Sequence, residues 1–177
     1  MPKDTTLPAA GPGERKRCFD PVVDERTRVL ILGSLPGDVS LASQEYYGNK
    51  QNRFWKLMSE VVAIDLLALN YRGRLAALRG SGVGLWDVVA EASREGSLDS
   101  RIRQRSDNDL VALAASLPKL EAIGFNGGTA AKLGAKALGD HASRYRIVRL
   151  PSSSPAYTLA YTEKLAQWMT MRTFLQA

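Results

Sequence analysis

Arg28-Val29-Leu30-Ile31-Leu32-Gly33-Ser34-Leu35-Pro36-Gly37 is the stretch on which the fold turns. Its first half is a short run of β-branched and leucine side chains with no polar alternation, the pattern of a strand buried on both faces. Its second half places glycine and proline directly at the strand end, so a loop must follow. Such a strand belongs to a parallel sheet covered by helices. The flanking pattern agrees. Phe54, Met58, Val61 and Val62 predict a helix over 53–62, with Asn52 as its capping side chain. A second helix is expected over 71–79, capped by Asn70 and stopped by Gly80. Strands are expected over 82–89, 121–125 and 146–150. Asp107 and Asp109 mark a polar helix start before the apolar stripe 110–117, and Pro118 closes it. Helices are expected over 127–138, ended by Gly139, and over 163–174. The alternation predicts an α/β three-layer sandwich with a central, mostly parallel four-stranded sheet flanked by helices.

The length of 177 residues suits one domain, and 45% hydrophobic with 24% charged residues excludes collagen-like and wholly disordered chains. Residues 1–17 carry Pro, Gly and scattered charge without periodicity, and read as a flexible basic N-terminal segment before a single domain over 18–177. The 24 Lys and Arg against 18 Asp and Glu leave a charge of +6, which favours an anionic partner. One cysteine, Cys18, and one histidine, His141, allow no internal disulfide and no zinc or iron-sulfur cluster. No metal and no cofactor are expected. Without an apolar run of about 18 residues or a secretory block, the expectation is a cytoplasmic protein with no membrane partner.

In doubly wound sheets, ligands bind beyond the carboxyl ends of the strands, so the loops after Leu32, Phe125 and Leu150 are where chemistry is sought. The loop 33–37 lets backbone NH groups approach an anion or a flat ring, yet it is neither a Walker loop nor a dinucleotide fingerprint. Gln44-Glu45-Tyr46-Tyr47-Gly48-Asn49-Lys50-Gln51-Asn52-Arg53-Phe54-Trp55 interleaves aromatic rings, amides and cations, which suits a nucleobase, although Phe54 and Trp55 also read as core. Asn126 in Phe125-Asn126-Gly127-Gly128-Thr129 offers a donor and an acceptor to the lactam edge of uracil or hypoxanthine; a turn-forming asparagine is the plainer reading. Pro151-Ser152-Ser153-Ser154-Pro155-Ala156-Tyr157 is a rigid hydroxyl-rich bend, suited to phosphates, with Tyr157 as a wedge.

Taken in order, these loops resemble the uracil-DNA glycosylase superfamily. Gly33-Ser34-Leu35-Pro36-Gly37 resembles its first motif and Pro151-Ser152-Ser153-Ser154 its second, and the similarity spans 29–157. Tyr46-Tyr47-Gly48-Asn49 followed by Asn52-Arg53-Phe54-Trp55, together with Leu150-Pro151-Ser152-Ser153-Ser154-Pro155-Ala156, is most similar to the hypoxanthine-DNA glycosylases. The resemblance implies cofactor-free hydrolysis of the N-glycosidic bond of a flipped, deaminated nucleotide in base excision repair. It implies that Asn49 orients the water, Tyr47 stacks on the base, Asn126 reads its edge, and Gly33 and Ser34 lie beside it. Ser152, Ser153, Ser154, Tyr157, Arg53 and Lys50 would contact the DNA, and the protein would act as a monomer.

Two departures stand out. The superfamily places Asp or Asn at the third residue of the first motif, where this chain has Leu35, and the second motif lacks its histidine. Hypoxanthine is therefore expected ahead of uracil or xanthine, and an asparagine must act by positioning and electrostatics rather than as a base. Lys50 is taken as the only lysine near the motifs, so no lyase step is expected. The rivals are a uracil-specific glycosylase, an inactive DNA-binding module and, from a different class, a serine hydrolase built on Ser34 and His141.

Overall fold

A computed structural model of the chain describes residues 15–176. Four strands, β2 (Val29–Gly33), β3 (Val83–Asp87), β6 (Ala122–Asn126) and β7 (Arg146–Leu150), form an all-parallel sheet in the order β3-β2-β6-β7. Strand β2 is buried along its whole length, as its uninterrupted apolar run requires. Its side chains alternate between two cores, which makes the domain three layers thick. Val29 and Ile31 pack with Phe54, Trp55, Met58 and Trp168 under α2 (Phe54–Val62), α3 (Tyr71–Gly80) and α6 (Tyr161–Trp168). Leu30 and Leu32 pack with Ile123, Phe125 and Leu138 under α4 (Leu110–Ser116) and α5 (Gly128–Leu138).

Local signals set several boundaries. Asn70 Oδ1, the expected cap of α3, accepts from the Gly73 amide at 2.8 Å, and Asp109, expected only within a polar helix start, caps α4 by accepting from the Ala112 amide at 3.0 Å. Asn52 accepts from the Phe54 amide at 2.9 Å, but Arg53 occupies the cap position. The last helix is α6 followed by a 3₁₀ stretch over Met169–Phe174, shorter than the α-helix expected over 163–174.

A second, antiparallel sheet of order β1-β4-β5 was not expected from the sequence. It consists of β1 (Arg15–Arg17), β4 (Val89–Ser93) and β5 (Arg103–Asp107). The run expected as one strand over 82–89 breaks at Val88, where the Val88 and Val89 amides donate to the Gly33 and Ser34 carbonyls and the chain crosses between sheets. Strand β5 is exposed throughout and carries no apolar alternation to reveal it. Of the N-terminal segment expected over 1–17, residues 1–14 lie outside the described residues. Arg15–Arg17 are a paired strand instead, with both arginines on Glu91. A short helix, α1 (Asp38–Ser43), was likewise read only as loop.

Helix α5 reaches its sheet through Gly134, where an added Cβ would lie 2.1 Å from the buried Phe125 ring. Overpacking of this kind costs about 1–3 kcal/mol. Gly134→Ala is expected to lower the free energy of unfolding in urea titrations by that amount; an unchanged value would contradict the packing of α5 described above.

Candidate active site

From β2 the chain passes to β3 on one side and from β6 to β7 on the other, so the carboxyl ends of the adjacent strands β2 and β6 flank the topological switch point. A cleft of about 640 Å³ opens there, lined by the loops after β2, β6 and β7 and by residues 97–100. Gly33, Ser34, Tyr47, Asn49, Asn126, Ser152, Ser153, Ser154 and Tyr157 all line it, although they come from four separate stretches of chain. Arg53 and Lys50 lie outside its lining: Arg53 stacks on Tyr161 at 5.9 Å and Lys50 is exposed. A larger groove of about 1780 Å³, bordered by Arg15, Arg94 and Arg103, shares Asp38 and Tyr46 with the cleft but none of the other site residues.

The centre of the floor is Asn126, the last residue of β6. Its Oδ1 accepts from the Ser153 amide at 2.9 Å, and its Nδ2 donates to Ser153 Oγ at 2.9 Å and to the Tyr47 hydroxyl at 3.2 Å. The two Ser153 bonds fix which way the carboxamide faces. Ser153 is thereby turned into the interior, while Ser152 and Ser154 accept from the Ser154 and Ala156 amides within the bend. The Arg53 amide donates to Ser153 O at 3.0 Å, tying the start of α2 to the same bend.

Tyr47 is a bulky residue at φ 54°, a left-handed conformation that costs about 1–3 kcal/mol and persists only where the surroundings enforce it. One face of its ring stacks on Phe54, with centroids 3.8 Å apart and planes 18° apart, so the opposite face remains for a ligand. Burial, followed by the nearby Asp87 charge, pushes its phenol above the ordinary value. Asn49 is half-buried and its Oδ1 accepts from the Gln51 amide at 2.9 Å, which directs the carboxamide NH₂ group away from that turn.

The first loop is held from behind. Leu35 packs against Val89 and Ala92, so this residue serves the second sheet and holds no water. The buried Arg94 guanidinium donates to the carbonyls of Leu35, Pro36 and Gly96. Ser34 Oγ donates to Asp99 Oδ1 at 2.6 Å. His141 lies on the exposed turn after α5 and is not among the cleft residues, so the serine hydrolase rival lacks its base.

Four residues of this region escaped sequence reading: Asp87, Arg94, Asp99 and Lys164. Lys164 is buried, donates to Ser154 O at 3.1 Å, and corrects the view that Lys50 is the only lysine near the motifs. Burial, then Arg53, lowers its pKa. Asp87 ends β3 as the register partner of Gly33 and is 4% exposed. Its Oδ1 would lie 2.6 Å from a Cβ placed on Gly33, and the Tyr47 hydroxyl 3.0 Å from that same point, so only glycine fits at position 33. Asp87 Oδ2 has no hydrogen-bond partner among the described residues. Burial, then the Asp99 charge, raises its pKa to about 7 against the opposing pull of Arg94. The one signal in the sequence was a carboxylate closing an otherwise apolar strand. Among the described residues no cluster of three His, Cys, Asp or Glu side chains is suited to a metal.

A carboxyl whose folded-state pKa lies above its unfolded value stabilises the fold least where both states are ionised. Asp87 therefore makes stability fall as pH rises from about 4 to about 7, by an amount on the order of a few kcal/mol. Asp87→Asn, which mimics the protonated form, is expected to raise the urea midpoint at about pH 8 and leave it nearly unchanged at about pH 4. Equal effects at both values would show that folding does not raise the pKa of this carboxyl.

Comparison with known proteins agrees with this geometry. The family model described as the uracil DNA glycosylase superfamily matches residues 21–176. A hypoxanthine DNA glycosylase of Methanosarcina acetivorans is 40% identical over 153 residues, covering 86% of this chain and 95% of that protein. One of Methanosarcina barkeri is 44% identical over 113 residues, 64% of this chain and 72% of that protein. The solution NMR structure of a candidate uracil DNA glycosylase from Methanosarcina acetivorans superposes with a TM-score of 0.82 at 38% identity, covering 93% of this chain and 100% of that one. The match over 21–176 and the 40% identity to a relative covered over 95% of its length show that the chain belongs to the uracil DNA glycosylase superfamily.

Proposed function

We propose that the protein is a monofunctional DNA glycosylase that releases hypoxanthine from deoxyinosine-containing DNA in base excision repair, working as a cytoplasmic monomer through one domain. The observation that carries this reading is the convergence of the Tyr47 ring, the Asn126 carboxamide and Asn49 on one cleft. A base drawn out of the stack lies against the free face of Tyr47. Asn126 keeps its Oδ1 on the Ser153 amide, retains a second lone pair there, and exchanges its longer bond to Tyr47 for one to the base. That pairing fits a lactam edge, NH beside C=O, which hypoxanthine presents. Gly33 and Ser34 line the near wall.

Flipping costs a few kcal/mol and least for a mispaired base, so weak pairing contributes to selection. Asn49 holds the water at the sugar carbon, and the enzyme acts by placing it rather than by deprotonating it. The bend at 152–154, with Tyr157 at its exposed end, grips the flanking phosphates. Lys164 and Arg53 stand behind that bend, and Lys50 adds charge farther out. No lyase step is assigned to Lys164, whose ammonium is committed to the Ser154 carbonyl.

Excess protein mixed with duplexes carrying one deoxyinosine, uracil or xanthine, followed by alkali, is expected to cut at deoxyinosine. Cutting only at uracil would move the protein to a uracil branch, and salt-sensitive binding without cutting would make it an inactive module. Asn49→Ala is expected to slow single-turnover release by about 100-fold or more while DNA binding persists. Asn126→Ala should weaken discrimination among bases more than DNA affinity, and unchanged discrimination would remove Asn126 from base reading. Binding by all variants should fall steeply with salt, as phosphate contacts require.

A further inference from the structure

Hypoxanthine leaves the sugar with the electron pair of the broken bond, and a purine departs more readily as a neutral molecule than as an anion. The residues placed against the base and the water supply amides, hydroxyls and a ring, none of which delivers a proton at neutral pH. Asp87 stands among them unused. It lines the cleft from the end of β3, directly beside Gly33 and the Tyr47 hydroxyl, on the side where Asn126 meets Tyr47. One of its oxygens is buried without a partner, an arrangement that stability alone would remove.

Building on the hypoxanthine reading, we propose that Asp87 is the general acid of base release, donating its proton to a ring nitrogen of the departing purine. As the C1′–N9 bond breaks, its electron pair passes to the base and the Asp87 proton follows, so hypoxanthine leaves neutral. The water placed by Asn49 adds through its oxygen to C1′. The proton it loses passes to bulk solvent, from which the Asp87 carboxylate is reprotonated. The net change is addition of one water across the glycosidic bond.

The surroundings suit a proton donor. Burial is the main cause of the raised pKa, and the Asp99 carboxylate adds to it; Arg94 opposes both but spends its hydrogen bonds on the carbonyls of Leu35, Pro36 and Gly96. Tyr47 faces Asp87 from the segment after α1, and Tyr46 and Cys18 feel the same charge, all three with raised pKa values that keep them neutral. The acid form of Asp87 is thus populated up to a pH of about 7.

The test is single-turnover release of hypoxanthine from a deoxyinosine duplex against pH, measured for the natural protein, Asp87→Asn and Asp99→Asn, with DNA affinity measured alongside. The natural protein is expected to lose rate as pH rises through about 7. Asp87→Asn should be about 100- to 10,000-fold slower below that pH, without the descending limb and with DNA affinity kept. Asp99→Asn should move the limb to lower pH, because the charge that helps hold the proton is gone; this arm decides the matter if Asp87→Asn fails to fold. Release by Asp87→Asn at near-natural rates, a limb that survives in it, a limb unmoved in Asp99→Asn, or a natural rate that rises with pH would each overturn the proposal. A natural protein that releases uracil but no hypoxanthine would overturn the substrate reading first, and the proposal with it.

Discussion

The bonding of the Asn126 carboxamide is the constraint on which the site depends. Through Ser153 it ties the end of β6 to the bend after β7, and through the Tyr47 hydroxyl it ties both to the segment that leads into α2. The Arg53 amide on Ser153 O closes the loop of contacts. Three stretches that lie far apart in the chain are thereby held as one floor. Because the carboxamide is buried, loss of any one partner strands a polar group, and such groups cost about 1–3 kcal/mol each. The floor is therefore rigid in the absence of any ligand.

The same edge of the sheet carries several unfavourable features. Tyr47 sits in a left-handed conformation, Asp87 is a buried acid with an unpartnered oxygen, and the Lys164 ammonium is buried beside the bend at 152–154 with no carboxylate paired to it among the described residues. The apolar layers on either side of β2 offset these costs. A strained tyrosine and an unpartnered buried carboxyl oxygen side by side in one cleft are features expected where binding rather than stability shaped the residues. Gly33 shows how tight the compromise is, since one methyl group there would collide with both Asp87 and Tyr47.

How much could be read from the sequence depended on how locally each feature is encoded. Strands β2, β6 and β7 are short runs between turn signals, and Asn70 and Asp109 stand directly before their helices and cap the amide three residues on, so the parallel sheet and its helices were legible. Strands β1 and β5 were not, because Arg-Lys-Arg and Arg-Gln-Arg-Ser-Asp have no apolar face and owe their extension to pairing with β4. In the site, Tyr47, Asn49, Asn126 and the serines stood out by motif order. Arg94 and Asp99 did not, since each acts on a loop distant in sequence, and Lys164 did not because nothing in its helix pattern shows that it turns back onto the bend. Asp87 was hidden inside a strand, where only the register against Gly33 discloses its place.

The chemistry depends first on where an extruded base rests. A crystal structure of the protein on a duplex holding 2′-fluoro-2′-deoxyinosine, whose glycosidic bond resists cleavage, would show this directly. Hypoxanthine is predicted to lie in the cleft against Tyr47, with Asn126 on its lactam edge and the Asp87 carboxyl about 2.6–3.2 Å from a ring nitrogen. A base that remains stacked in the duplex, or one seated in the groove bordered by Arg15 and Arg103, would contradict the account.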